Sequence, residues 1–301
     1  GYSMDFLEGE FACVEIPNSN SLNPEEGFTI SFWAKINQLD CCQHFFNKWI
    51  PGNVQFIFSA NSSGLYSHIG GDGTNNEEFI FQSTLQPEFN EWQYISMSHD
   101  PNQCLTTFYV GDGEQLNSTS ESGNCNNLEE TTHNIHIGGN PNFGSSDSVE
   151  GLMDNVQFWN KVLSIEEIEN YMICPPTGNE NELIGYWNFE EGPETGQVID
   201  SSGNNNHGEI NGNPEYSNDV PIQNCQTCEY EEIDGFIYGG YFEGSHYYIS
   251  EETSTWSEAN ENINELGYGH FVTITSEEEN NFLTEMINSE TFLPYTLYGS
   301  S

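Results

Sequence analysis

Short segments of alternating apolar and polar residues recur through the first 160 positions, and clusters of Gly, Asn, Asp and Pro separate them. Alternation with a period of two is typical of strands that bury one face. The clearest segments are 28–36, 54–59, 79–82, 92–98, 105–110 and 135–138. Many short strands joined by turns predict a mainly β protein in which two antiparallel sheets pack as a sandwich.

The segment 28–36 predicts where the core lies. Its apolar face comprises Phe28, Ile30, Phe32, Ala34 and Ile36. The opposite face is polar except for Trp33. Two interpretations of Trp33 stay open: a neighbouring loop covers the ring, or the ring is an exposed platform on which a sugar stacks. Trp33 is therefore the candidate ligand-binding residue.

Residues 149–172 combine a strand, a turn and a helix. Val156 and Phe158 share one strand face, and Met153 has the opposite parity. If all three residues face the core, the strand contains one extra residue, which predicts a β-bulge at Asp154–Asn155.

A short amphipathic helix follows this strand. Ser164 and Glu167 have the spacing of a capping box, which marks a helix N-terminus. Ile165, Ile168 and Met172 then place apolar side chains along one stripe. The helix is therefore expected to pack its stripe against another apolar surface.

The pattern Gly-x-apolar-Asp-x-Val-x-apolar-Trp-Asn-x-x-Leu-Ser-x-x-Glu-Ile, at residues 151–168, resembles the closing strand and helix of laminin-G-like and pentraxin-like jelly rolls. Segments 3–6, 14–17 and 27–35 resemble the first strands of the same family. The resemblance implies a concanavalin A-like jelly-roll sandwich over residues 1–216.

A loop near residue 200 is a candidate calcium site. Residues 183–212 resemble a segment that accompanies laminin-G-like domains of bacterial surface proteins. Oxygen atoms of Asp200, Asn204 and Asn206 are suitable calcium ligands. The alternative is a purely structural turn, because Asn and Gly adopt positive φ at low cost. Calcium is the candidate cofactor.

Residues 217–228 are predicted to form a linker, and the hydrophobic period changes beyond them. Strands are predicted at 247–249 and 271–274, and helices behind the capping boxes Thr255–Glu258 and Ser276–Glu279. This order over 229–301 resembles the first half of a C-type lectin-like domain. The resemblance implies a C-terminal, truncated α+β module. That family's calcium and sugar ligands lie in its second half, so no sugar ligand is carried over.

The charge balance excludes several partners. The chain has 48 acidic residues, three lysines and no arginine, for a formal charge of −45. Such a surface repels phosphate, so nucleic acid and anionic membranes are poor partners. It also repels itself, and salt or bound cations would relieve that repulsion.

Eight cysteines without paired Cys/His clusters favour disulfides in an oxidising exterior over a metal site. The predicted pairs are Cys104–Cys125 and Cys174–Cys225. The pairing stays open for Cys41, Cys42 and Cys228. No apolar run is long enough to span a membrane, so membrane insertion is not expected. These observations predict an extracellular or cell-surface location, as an interior piece of a longer secreted protein.

No catalytic site is predicted. Laminarinase-like glycosidases share this jelly roll and place two or three carboxylates at alternate positions of one strand. Glu232 and Asp234 begin such a pattern, but apolar residues follow them. We therefore predict a non-enzymatic, secreted or surface-attached protein that binds a glycan or an extracellular protein. The alternatives are an accessory module of a polysaccharide-degrading enzyme whose catalytic domain lies outside this chain, and a spacer without a ligand.

Overall fold

The computed structural model describes residues 1–7, 11–24, 26–39, 42–51, 53–70, 78–125, 128, 130–142, 147–223, 225, 233–242, 245–251, 254–266, 270–274 and 277–288. The chain forms two compact units, Gly1–Cys225 and Gln226–Ser301. Four residues named above, Cys41, Cys228, Glu232 and Ser276, lie outside the described residues.

The described part of the first unit contains two antiparallel sheets of eight strands each. In chain order the strands are β1 Ser3–Phe6, β2 Ala12–Ile16, β3 Phe28–Ile36, β4 Gln43–Ile50, β5 Asn53–Asn61, β6 Gly64–Gly70, β7 Glu78–Gln82, β8 Gln93–Asp100, β9 Leu105–Gly111, β10 Leu116–Ser122, β11 Ile135–Ile137, β12 Gly151–Trp159, β13 Leu183–Trp187, β14 Gln197–Val198, β15 Gly208–Gly212 and β16 Glu215–Ser217. A 3₁₀ helix covers Asn20–Leu22, and helix α1 covers Ile165–Ile173.

Strands that are distant in sequence lie side by side in both sheets. Sheet A has the order β10-β9-β8-β3-β12-β1-β16, and β13 also pairs with β12. Sheet B has the order β14-β15-β2-β11-β4-β5-β6-β7. The predicted mainly β, two-sheet antiparallel sandwich is confirmed, with jelly-roll-like crossovers between the sheets.

The main core fills the space between the sheets and is rich in phenylalanine. The rings of Phe28 and Phe56 lie 5.1 Å apart, as do those of Phe32 and Phe45. All five apolar residues predicted for the core face of β3 lie in this core. Each fully buried side chain of this size contributes roughly 1.5–3 kcal/mol of transfer free energy.

Strand β12 carries the predicted bulge. Between Asp154 and Gln157 it contains one residue more than the facing part of β3. Asn155 adopts a φ of 50°, which Asn tolerates better than most residues. Met153 and Val156 both reach the core as a result. Because of the bulge, Met153 and Val156 both face the core although an even alternation would place them on opposite faces.

Helix α1 begins with the predicted capping box. The backbone N–H of Glu167 donates to Ser164 Oγ at 3.2 Å, and the N–H of Ser164 donates to Glu167 Oε2 at 2.8 Å. Ile168 and Met172 are buried, whereas Ile165, the third predicted member of the stripe, is exposed. The helix therefore buries a narrower stripe than the sequence indicated.

Both predicted disulfides are present. Cys104 is bonded to Cys125, and Cys174 is bonded to Cys225. The second bond joins the C-terminal end of α1 to the last residue of the first unit.

Residues 217–225 belong to the first unit, so the predicted linker begins too early. Lys35 Nζ and Trp92 Nε1 donate to the carboxylate of Asp219 at 2.8 and 2.9 Å. Gln223 accepts a hydrogen bond from the bulge of β12. The polar composition of this stretch suggested a linker, but its side chains bind specific partners on sheet A.

The described part of the second unit contains strands β17 Phe236–Phe242 and β18 Ser245–Ser250, and helices α2 Trp256–Leu266 and α3 Glu277–Asn288. The capping box of Thr255 and Glu258 is present at the start of α2. The predicted strand at 271–274 is wrong, because these residues pair with no described strand. None of the described helices is both long and apolar enough to cross a membrane.

Candidate functional site

The outer face of sheet A is covered, and Trp33 lies beneath the cover. Trp33 is 2% exposed and packs edge to face against Tyr94, with 5.6 Å between the ring centroids. The same apolar cluster contains Tyr109, Trp159, Leu163, Ile168, Met172, Leu183 and Tyr186. Of the two interpretations left open for Trp33, the burial supports the covered ring and contradicts the exposed sugar platform, so Trp33 is not a ligand-binding residue. The stripe of α1 requires an apolar partner, and this face of the sheet supplies it.

The oxygens of Asp200 face backbone N–H groups. Oδ1 accepts from the N–H groups of Tyr186 and Ser202 at 3.0 and 2.9 Å, and Oδ2 accepts from that of Asn206 at 2.8 Å. These donors surround the carboxylate with partial positive charge, which disfavours a cation at the same place. Asp200 thus acts here as the organiser of a turn.

The two other predicted calcium ligands also take part in this turn. Asn206 Oδ1 accepts from Ser19 Oγ at 2.6 Å, and its Nδ2 donates to the carbonyl of Ile184 at 2.7 Å. Asn204 Nδ2 donates to the carbonyl of Leu183 at 2.9 Å. Although the structure brings the three predicted residues into one loop, their contacts do not fit a calcium site, and the calcium hypothesis stays a prediction.

The outer face of sheet B has a different composition. One cross-strand row, which we call the sheet B row, consists of Glu209, Glu15, His136, Asn47, Ile57, His68 and Ile80. These residues sit directly opposite one another on seven adjacent strands, so their side chains share one face. The row is mostly polar and includes two imidazoles.

Four rings and one hydroxyl group lie together near the middle of this row. We call this group the ring cluster. It comprises His44, Trp49, Ser59, Tyr66 and His68, and it shares His68 with the sheet B row. Ser59 pairs with His44 on one side and with Tyr66 on the other. The ring centroids of His44 and Trp49 are 5.8 Å apart, and those of Tyr66 and His68 are 5.4 Å apart. The cluster spans β4, β5 and β6; His44, Ser59 and Tyr66 are buried, and the rings of Trp49 and His68 are half-buried.

A bulge in β4 creates this arrangement. Strand β4 contains one extra residue between His44 and Phe46 relative to β5. Phe45 and Phe46 consequently both enter the core. His44 and Asn47 are thereby placed together on the outer face.

Burial makes the histidines of this face weak bases. It lowers the pKa of His44 to about 4, and the neighbouring His68 imidazole lowers it further in the same direction. Burial also lowers the pKa of His68 and raises that of Tyr66. All three side chains are therefore neutral at neutral pH. Perturbed titration in a group of this kind is a feature of functional sites, although structural networks share it.

The other end of the sheet B row is held by a carboxylate. Glu15 lies 3.6 Å from His136 Nε2 and accepts from Asn134 Nδ2 at 2.7 Å. Burial lowers the pKa of His136, although Glu15 partly offsets this effect. Glu15 in β2 therefore contacts His136 in β11 and Asn134, the residue that precedes β11.

The sequence analysis missed the ring cluster. A signal was present in the stretch 64–70, where Tyr66 and His68 alternate with the buried residues Leu65, Ser67 and Ile69. Alternation alone does not reveal that β4 and β5 bring further rings alongside. That information lies in the pairing of the strands and in the bulge of β4.

Comparison with known proteins gives the family. Residues 8–169, more than half of the chain, match the model of the concanavalin A-like lectin/glucanases superfamily. No curated protein matches this sequence.

Several solved structures are similar to this one. A candidate carbohydrate-binding protein from Bacteroides ovatus superimposes with a TM-score of 0.54 at 16% identity, and the match covers 74% of this chain and 61% of that protein. A heptameric SAP-like pentraxin from Limulus polyphemus gives 0.46 at 12% identity, over 71% of this chain and 95% of the other.

A third similar structure is the CBM40 of a Ruminococcus gnavus sialidase bound to α2,3-sialyllactose. It gives a TM-score of 0.42 at 14% identity, over 56% of this chain and 95% of the module. At these identities the likeness to solved structures concerns the fold. The family match over residues 8–169 shows that the chain belongs to the concanavalin A-like lectin/glucanases superfamily, and the Bacteroides ovatus structure shares the fold.

Proposed function

We propose that the first unit is a non-catalytic glycan-binding module that uses the outer face of sheet B. The observation that carries the proposal is the ring cluster, which sets aromatic and imidazole rings beside hydroxyl and amide groups on one sheet face. The superfamily contains lectins, and the Bacteroides ovatus structure is a candidate carbohydrate-binding protein, which supports the same proposal.

The chemistry of the ring cluster suits a sugar. A pyranose presents C–H groups on its faces, which pack on aromatic rings, and hydroxyls on its rim, which both donate and accept hydrogen bonds. Trp49 and His68 are half-buried, and Ile80 at the end of the row is 62% exposed. These three residues are therefore the proposed first contacts, with Tyr66 and Ser59 behind them.

The proposal that the module is non-catalytic rests on its carboxylates. In the described strands of the sheet B row, Glu15 and Glu209 occupy facing positions. Glu15 is bound by Asn134 and lies beside His136, contacts that join strands. The accessory-module alternative remains compatible with this assignment, because it places the catalytic domain outside this chain.

The C-terminal unit and the cellular location complete the proposal. The hairpin of β17 and β18 followed by α2 is compatible with the beginning of a C-type lectin-like domain, and that assignment stays a prediction. The two disulfides in the first unit favour a secreted or surface-attached protein.

The experiment that tests the function is a glycan screen with matched tryptophan variants. The whole chain is applied to immobilised glycans as wild type, as Trp49→Ala and as Trp256→Ala. Trp256 is 72% exposed and lies in the second unit, so its removal serves as the control. We expect glycan binding by wild type and by the control, and at least about a tenfold loss in Trp49→Ala, which corresponds to ~1.4 kcal/mol. Binding that Trp49→Ala retains, in a protein with an unchanged melting temperature, would place the site elsewhere.

Glycosidase activity is assayed on the same glycans. Release of sugar by wild type but not by Glu15→Gln would contradict the non-catalytic assignment.

A further inference from the structure

We infer that the glycan recognised by the outer face of sheet B is uncharged, so that uronate, sulfated and sialylated glycans are excluded. This inference deepens the proposed function and rests on it. The structure carries it through the positions of the basic groups, because a protein that binds an anionic sugar must offset the cost of desolvating the anion.

Every lysine of the chain is already engaged within the first unit. Lys35 Nζ lies 2.8 Å from Asp219 Oδ2, and Lys161 Nζ lies 2.6 Å from Glu167 Oε1. Both residues belong to sheet A or to the segment that follows it. The sequence contains no arginine and only one other lysine. Neither ion pair therefore offers a cation to the outer face of sheet B.

The remaining lysine, Lys48, is in β4 of sheet B but points away from the outer face. Its side chain is fully buried, and Nζ donates to the carbonyl of Leu22 at 2.9 Å and to Asn23 Oδ1 at 2.7 Å. Burial lowers the pKa of Lys48 to about 8. This amine serves an internal network and does not reach a ligand on the other side of the strand.

Histidine does not supply the missing charge. The histidines on the outer face of sheet B are His44, His68 and His136, and burial lowers the pKa of each. Among the described residues of this face, none therefore carries a positive side chain at neutral pH. At the far end of the row, Glu15 and Glu209 add negative charge.

An anionic sugar would thus be repelled by the negative charge of the chain, and no basic side chain on this face would offset that repulsion. It would lose hydration on binding to this face, approach a chain of formal charge −45, and find no cation as partner. An uncharged sugar avoids all three costs. Its hydroxyls find neutral imidazole, hydroxyl and amide groups, which donate and accept hydrogen bonds of ordinary strength.

The test compares glycans that share a backbone and differ in charge. Each neutral glycan that binds the whole chain is retested as its sulfated derivative and as its C6-oxidised uronate. The methyl ester of the uronate is included as well, since it restores neutrality at nearly the same size. Sialyllactose serves as an additional anionic probe. All measurements are made at low and at high salt, with and without calcium, so that an anion bridged by a metal ion is also detected.

The expected result is binding of the neutral glycan and of the methyl ester, with an affinity that changes less than about twofold between low and high salt. The sulfated and uronate forms should bind at least about tenfold more weakly at low salt and recover in part at high salt, because salt screens the repulsion. Trp49→Ala should weaken the neutral binding at least about tenfold, as for the proposed function.

Three results would overturn the inference. The first is an anionic form that binds as tightly as its neutral parent, with or without calcium. The second is anionic binding that Lys35→Gln or Lys161→Gln removes, which would place the site on sheet A. The third is neutral binding that survives Trp49→Ala in a folded protein. Failure to bind any glycan, charged or neutral, is distinguishable from these results and would remove the proposed function itself.

Discussion

The two outer faces of the sandwich differ in what lies on them. The outer face of sheet A carries Trp33, Tyr94 and Trp159, which pack beneath the stripe of α1. The outer face of sheet B carries the ring cluster, in which polar atoms accompany every ring. Aromatic residues on a sheet are therefore not by themselves a sign of a binding face. What distinguishes the two faces is how much of the rings remains accessible: Trp33, Tyr94 and Trp159 are buried, whereas Trp49 and His68 are half-buried.

The largest expected difference between the faces concerns stability. Trp33→Ala should reduce the free energy of unfolding by about 3–5 kcal/mol, because it leaves a cavity under α1. Trp49→Ala should cost clearly less, because its ring is only half-buried. Urea unfolding of both variants measures the contrast. Equal losses would show that sheet B depends on its rings as sheet A does.

The next prediction concerns the rise of pH from acid to neutral values and sheet A. Asp154 faces Trp33 across the strands and is 3% exposed, and burial raises the pKa of its carboxyl to about 8, with Glu190 adding to the rise and the N-terminal amine opposing it. The folded protein holds this proton and the unfolded chain, with a pKa near 3.8, does not, so stability should fall as pH rises from about 4 to 8.

Asp154→Asn keeps an acceptor for the N–H of Asn155 and should remove this dependence, raising the free energy of unfolding by up to about 5 kcal/mol near pH 8. The control is Asp112→Asn, which changes an exposed turn residue. If thermal melts of Asp154→Asn and wild type shift in parallel over this pH range, Asp154 is ionised in the folded protein.

Acid pH should act on sheet B in the opposite direction. The pKa of His44 is about 4 in the folded protein and near 6.5 in the unfolded chain, so the unfolded state binds the extra proton. Stability should therefore fall as pH drops from 6.5 to 4, by ~2 kcal/mol for this residue. His44→Gln should flatten that slope, and denaturant titrations at several pH values measure it. A slope identical to that of wild type would mean that His44 accepts its proton without unfolding.

The smallest effect is expected at the turn between β14 and β15. Asp200→Asn removes one acceptor from the three backbone N–H groups and should cost about 1 kcal/mol. The loss should be the same in calcium, magnesium and chelator if the residue organises a turn only. Glu194→Gln, an exposed change nearby, is the control. A melting temperature that calcium alone raises, and that Asp200→Asn no longer raises, would instead support the calcium hypothesis.

Features that depend on a few neighbouring residues were predictable from the sequence. These were the strand at 28–36 with its core face, the bulge at Asp154–Asn155, the capping box at Ser164 and the two disulfides. Each follows from a local pattern of parity, spacing or cysteine placement.

Features that depend on distant strands were not predictable. The sequence did not show whether the ring of Trp33 is covered or exposed, because nothing in its own strand indicates where the apolar stripe of α1 packs. The ring cluster was missed because His44 reaches the outer face only through a bulge in β4. The apolar run 271–274 has the composition of a strand, but composition does not provide a neighbouring strand with which to pair.

The disulfide between Cys174 and Cys225 also determines how the first unit responds to tension. A pull on the chain from the side of the second unit enters at Cys225 and passes through the sulfur bridge to Cys174, the C-cap of α1. The strands β13 to β16 lie between these two cysteines and carry none of that force. In the oxidised protein the load therefore falls on α1 and β12, and the sheet edges that β14 and β16 form bear no load until the bridge is reduced.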